Sequence, residues 1–175
     1  MKQSILKYAA ILALLLFPFS LTGWADDSEV SRATLAGLQG VSVIVEKLQP
    51  NLQKYAAKFD LNSEVIRRDV EQQLREGGIR VVEGNDWLAL PGRPVLAVNV
   101  NTHETEKYWY AYDIKLELRQ LAVLEANPKI KTLAATWSIS ATGLANIGNL
   151  HLIRQDAQAL VRRFVQAYKV ANNKR

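Results

Sequence analysis

The sequence predicts an α+β two-layer sandwich: a mostly antiparallel five-stranded sheet with helices gathered on one face. Three observations carry this. Residues 108–119 alternate strictly, with Tyr108, Tyr110, Tyr112, Ile114, Leu116 and Leu118 on one side and Trp109, Ala111, Asp113, Lys115, Glu117 and Arg119 on the other. That period of two marks a strand with one buried face. Residues 62–76 and 152–168 instead repeat apolar side chains at helical spacing, which makes two amphipathic helices. The order along the chain is strand, helices, strand, strand, long hairpin, helix, and such an order packs helices on one side of an antiparallel sheet.

The first strand covers residues 39–48, where Val41, Val43 and Val45 share a face and Pro50 ends the run. Leu52, Tyr55, Ala56 and Phe59 follow at the spacing of a short helix. Asn62 is the N-cap of the next helix, with Leu61 and Ile66 placed to form a hydrophobic staple. Ile66, Val70 and Leu74 continue its apolar stripe, and Gly77-Gly78 stops it because glycine enters the left-handed region cheaply. Ile79–Val82 reads as a short second strand, Glu83–Pro94 as a loop, Val95–Asn101 as the third strand and Thr102–Glu106 as a polar turn.

The fourth strand, extended to about Glu125, would be roughly 60 Å long. Strands of that length bend, and the bend is expected near Gln120. Ala126–Lys129 is the turn into a fifth strand carrying Leu133, Ala135, Trp137 and Ile139. A loop over 141–149 with Gly143 and Gly148 as hinge residues then leads to the last helix.

The first residues read as an address. Lys2 and Lys7 precede an uncharged apolar run, Tyr8–Leu21, and Gly23-Trp24-Ala25 closes it with small residues ahead of Asp26-Asp27. Positive, apolar and small-residue regions in that order define a secretory signal peptide. A retained membrane anchor is the alternative, but the run is shorter than the roughly 20 residues a span needs, and Pro18 interrupts it. The organisation expected is therefore a signal peptide over 1–25, a flexible lead over 26–36 and a single α+β domain over 37–171. The location expected is periplasmic or secreted, in a bacterium, after cleavage near Ala25, with no stable membrane span remaining. Removal of residues 1–25 takes away two lysines and lowers the net charge from +5 to +3. A charge that small, on an exported chain, argues against nucleic acid as a partner. The chain has no cysteine, which removes disulfides, thiol catalysis and thiolate metal sites.

The chemistry-bearing residues are sparse. His103 lies in the polar turn beside Glu104 and Glu106, and His151 opens the last helix. Zinc sites need three or four convergent ligands, so neither histidine implies a metal. Gly143–Gly148 has the outline of a phosphate loop, but Asn149-Leu150 stands where lysine and a hydroxyl residue would be needed. Asp113 and Glu117 are four residues apart on one strand, roughly 13 Å and beyond the reach of a paired-carboxylate hydrolase. No acid, base and oxyanion donor converge, so the reading is a non-enzymatic protein without metal or cofactor.

Binding is the remaining function class. Trp109, Lys115, Glu117 and Arg119 share the outward face of the fourth strand and form the candidate surface for an envelope protein partner. A second reading is a small-molecule or glycan binder, or a weak hydrolase, with a pocket under the 83–94 loop contacted by Asp86, Trp87 and Arg93. The partner's identity and the oligomeric state leave no signature in the sequence.

The strings GVSVIVEKLQP, DVEQQLREGGIRV, PVLAVNVNT, AYDIKLELRQLAVLEANP, ATWS and LVRRFVQAY together resemble a family of small exported bacterial proteins of uncharacterised function. The resemblance spans about residues 37–170 and carries no catalytic motif. At the level of fold, the element order looks like the α/β modules of periplasmic envelope proteins such as the amino-terminal domain of TolB, an analogy that implies no function.

Overall fold

The structure, a computed structural model, describes residues 27–173. The predicted signal segment and its cleavage point lie outside the described residues. The elements are α1 (Glu29–Ala33), β1 (Ser42–Val45), α2 (Pro50–Gln53), α3 (Ala56–Phe59), α4 (Ser63–Glu76), a 3-10 turn (Asp86–Ala89), β2 (Val95–Glu106), β3 (Trp109–Leu124), β4 (Asn127–Asn146) and α5 (His151–Ala171).

The four strands lie in the order β1-β2-β3-β4. β1 runs parallel to β2, with Ser42 opposite Val95. β2, β3 and β4 form an antiparallel meander, with Leu96 opposite Leu118 and Leu116 opposite Ile139. α4 packs over β1, α5 packs over β3 and β4, and the two helices touch. The α+β class therefore holds, with a mixed four-stranded sheet in place of five strands. The missing strand is Ile79–Val82, which makes only a bridge between Val41 and Val81. It pairs through Val41 N–H to Arg80 O and Val82 N–H to Val41 O, and then Gly84, at φ +56°, turns the chain away.

Other boundaries moved for physical reasons. Thr102–Glu106 continues β2, because cross-strand backbone bonding to β3 needs no buried side chain. The turn falls at Lys107-Tyr108, and Tyr108, at φ +71°, is exposed there instead of facing the core. The expected loop over 141–149 is largely strand. Gly143 serves close packing, since a Cβ there would enter the Tyr112 ring. The Leu52–Phe59 helix is two single turns, the first with Pro50 at its start. The lead over 26–36 was expected to be flexible. Its described part contains α1, capped by Ser28 Oγ accepting from Ser31 N–H, with Leu35 fully buried beyond it.

The expected bend near Gln120 is a β-bulge. Leu118 pairs with Trp137 and Arg119 with Ala135, which leaves Thr136 as the extra residue. Gln120 Nε2 donates to Thr136 Oγ1 and Thr34 O and fixes the distortion.

The core lies between the helices and one sheet face. Tyr110, Tyr112, Ile114, Leu116 and Leu118 of β3 are buried, as are Ile153, Leu160, Val161, Phe164 and Tyr168 of α5. Trp137 meets Phe164 edge-on at 5.1 Å, and Tyr55 meets Tyr110 at 6.3 Å.

α4 shows how local sequence sets this packing. Asn62 Oδ1 accepts from Val65 N–H at 2.9 Å, and the flanking Leu61 and Ile66 are both buried. At the other end Ile79 N–H reaches Leu74 O and Gly78 N–H reaches Arg75 O, with Gly78 at φ +77°, which is a Schellman close. A Cβ on Gly77 would stand 2.5 Å from Val165 Cγ1, so the missing side chain sets the approach of α4 to α5. Gly77→Ala should lower unfolding stability by about 1–3 kcal/mol, the range for overpacking against a stiff branched neighbour. Urea denaturation reads this, and an unchanged midpoint would show that the helices do not approach so closely.

Candidate functional site

One face of the sheet is covered by helices, and the other is largely open. Across the open face, Asn101, Asp113 and Thr142 lie side by side in register, as do Asn99, Lys115 and Ser140. Of the four residues expected to form the binding surface, three come together. Glu117 takes Lys115 Nζ at 2.5 Å and Arg119 Nη2 at 2.8 Å, and Arg119 also approaches Glu46 Oε1 at 3.8 Å. Asn99 donates its amide to the Glu46 carboxylate, which extends the row to the strand edge. Burial pushes the Glu117 carboxyl up in pKa, and hydrogen bonds from Lys115 and Arg119 more than offset this and hold it below its ordinary value.

Trp109 does not join them. It stands six residues from Lys115 along β3, about 20 Å away, and is 44% exposed. Its neighbours on the same face are Ala111 along β3 and Asn146 directly across the ladder, with Leu144 opposite Ala111. In the alternative ligand loop, Asp86 and Arg93 are exposed and Trp87 is half-buried.

A hollow of about 550 Å³ opens at the Trp109 end of the sheet and is lined by Gln49, Asn101, Thr102, His103, Ala111, Tyr112, Asp113, Thr142 and Gly143, with Trp109 beyond its lining. His103 is therefore an exposed residue of β2 and not of a turn, and His151 is exposed at the first position of α5. Among the described residues, no three His, Asp or Glu side chains converge to hold a metal ion.

Sequence reading missed a further feature. Beyond the bulge, β3 and β4 run past the helices, and Val123, Leu124, Ile130 and Leu133 are 55%, 42%, 46% and 45% exposed. Leu121 faces Leu133 across the ladder. The signal was present in Leu121-Ala122-Val123-Leu124, where apolar residues occupy both parities and alternation fails. A strand with apolar side chains on both faces needs cover on both faces.

Buried polar groups tie the layers together. Tyr112 Oη donates to Asp156 Oδ2 at 2.6 Å. Burial, reinforced by that carboxylate, pushes the phenol up to about 12 in pKa, so it remains a proton donor at neutral pH and acts as a strut between sheet and α5. Asp69 of α4 accepts from Arg154 Nε at 2.5 Å and from Gln158. Asp27 accepts from Arg32 and from the buried Trp137 Nε1, the latter at 2.9 Å.

No family model matches this chain, and no curated protein matches it. Among solved structures it is similar to a crystal structure described as a minor lipoprotein from Acinetobacter baumannii, at 10% identity and a TM-score of 0.32, covering 79% of this chain and 94% of that one. A likeness at that score fixes neither fold nor function. No helix among the described residues is long and apolar enough to cross a membrane.

The two aspartates define an acid response. The Arg32 hydrogen bond to Asp27 and the Arg154 hydrogen bond to Asp69 hold both carboxyls below their ordinary value of 3.8, against the upward push of burial. Each therefore binds fewer protons folded than unfolded near that value. Its stabilisation is present above 3.8 and is lost as the pH falls through the lower folded value. Asp69→Asn should cost about 1.5–3 kcal/mol at pH 7, the range for hydrogen bonds to a charged group, and should flatten the acid limb of the stability curve. Denaturant titrations from pH 7 to about 2 test this; an acid limb equally steep in the variant would remove Asp69 from the account.

Proposed function

We propose that this protein is a non-enzymatic exported accessory factor of the bacterial envelope that works by binding another protein through the projecting end of the β3–β4 hairpin. The observation that supports this reading is the exposure of Val123, Leu124, Ile130 and Leu133 on both faces of one strand pair. Apolar side chains in water on a projecting element are stabilised by a partner that covers them. The Lys115–Glu117–Arg119 row lies at the root of this arm on the open face, where its charges form a polar rim. Surfaces built as an apolar centre with a charged margin suit protein partners. Export follows from the reading of residues 1–25 as a signal peptide.

The test is photo-crosslinking in intact cells, with a photoreactive side chain at Val123, at Ile130 and, as control, at Arg68 on the exposed side of α4. The expected result is one discrete cross-linked protein from positions 123 and 130 and none from 68. The pair Val123→Ser and Ile130→Ser should reduce its capture about tenfold or more with the fold intact. Equal labelling from all three positions, or none from the arm, would overturn the reading.

A further inference from the structure

We propose that the hollow at the Trp109 end of the open sheet face is a binding site for a neutral saccharide. It lies roughly 40 Å along β3 from Val123, shares no residue with the projecting arm, and does not depend on that arm having a partner. Ala111 is among its lining residues, and Trp109 and Leu144 border it without lining it. A small residue at the centre of a sheet face makes a depression only when its neighbours are larger, and here they are. Trp109 stands two residues before it on the same face, while His103 and Leu144 lie directly across the two ladders. Trp109 is 44% and Leu144 62% exposed, so both offer apolar surface to solvent. Along the next cross-strand row, Asn101, Asp113 and Thr142 line the same hollow; the Asn101 amide nitrogen donates to Asn99 Oδ1 at 2.5 Å, and the Asp113 carboxylate and Thr142 hydroxyl complete the row.

That combination selects the ligand class. A pyranose ring has an apolar face of C–H bonds that stacks on an indole, and a rim of hydroxyls that donate to a carboxylate and exchange hydrogen bonds with amide and hydroxyl groups. A volume of about 550 Å³ is in the range of small-ligand pockets. Charge excludes acidic ligands. Asp113 brings a negative charge to the wall, and Lys115, two residues along the same face, is held by Glu117 at 2.5 Å. Phosphorylated or carboxylated compounds would meet repulsion without compensation.

The experiment is a ¹H–¹⁵N NMR titration of the exported protein with chitotriose and, separately, maltotriose up to about 10 mM, a range suited to weak sites. Saturable shifts are expected at the amides of Asn101, His103, Asp113 and Thr142 and at the Trp109 indole for at least one of the two. Trp109→Ala and Asp113→Ala should each weaken that binding by about tenfold or more. Both positions are solvent-facing, and unchanged core resonances will report that the fold is kept. Val123→Ser should bind as the parent does. Glucose 6-phosphate should perturb these residues less than glucose. Absence of saturable shifts with both trisaccharides, binding that survives Trp109→Ala, or preference for the phosphorylated sugar would each overturn the proposal.

Discussion

Tyr110, Tyr112, Ile114, Leu116 and Leu118 stand in one row along β3, and α5 is the element long enough to cover them. Each side chain contributes about 1.5–3 kcal/mol when taken from water, so the pairing of this row with Ile153, Leu160, Phe164 and Tyr168 governs the rest. It fixes which face of the sheet is inside. It also fixes the strand register, because a slip of one residue would put Trp109, Asp113, Lys115 and Glu117 against the helix. Gly143 lets the Tyr112 ring lie against β4, and Tyr112 then reaches Asp156 on α5. α1 secures the far end, where Asp27 completes the single polar group of the buried Trp137.

Covering one face of a meander leaves the other free, and here its two ends differ in chemistry. The end near the β2–β3 turn has a hollow lined by Asn101, His103, Asp113 and Thr142, with the exposed Trp109 beyond it on the same face. The middle carries a row of charges that satisfy one another. The far end loses its helical cover beyond the bulge at Thr136 and exposes apolar side chains on both sides. A single scaffold thus presents separate surfaces that differ in chemistry.

Much of this was legible in the sequence where one face is buried and the other wet. The alternation of residues 110–118 and the helical stripes at Ile66, Val70 and Leu74 survive unchanged in the fold, as do the cap at Asn62 and the bend beside Gln120. Legibility failed where backbone pairing, not side-chain burial, decides. The ends of β2 and β4 are polar or glycine-bearing and read as turn and loop, yet their neighbour strand supplies hydrogen bonds. Ile79–Val82 has strand composition but turns away after one bridge. The order of α1 rests on contacts more than a hundred residues away, Asp27 with Trp137 and Thr34 with Thr136, which local composition does not encode. At the candidate site, the Lys115–Glu117–Arg119 row followed from strand parity. The hollow required knowing that His103 and Leu144 flank Ala111.

Amide hydrogen exchange reads the cover of this row by α5, because protection follows burial and cooperative packing. Amides of 110–118 and 153–168 should share one slow exchange rate set by global unfolding, while those of 121–134, paired but uncovered, should exchange through local opening many times faster. Equal protection along the whole of β3, or a core row that exchanges before the arm, would contradict the burial of that row beneath α5 as the constraint that orders this molecule.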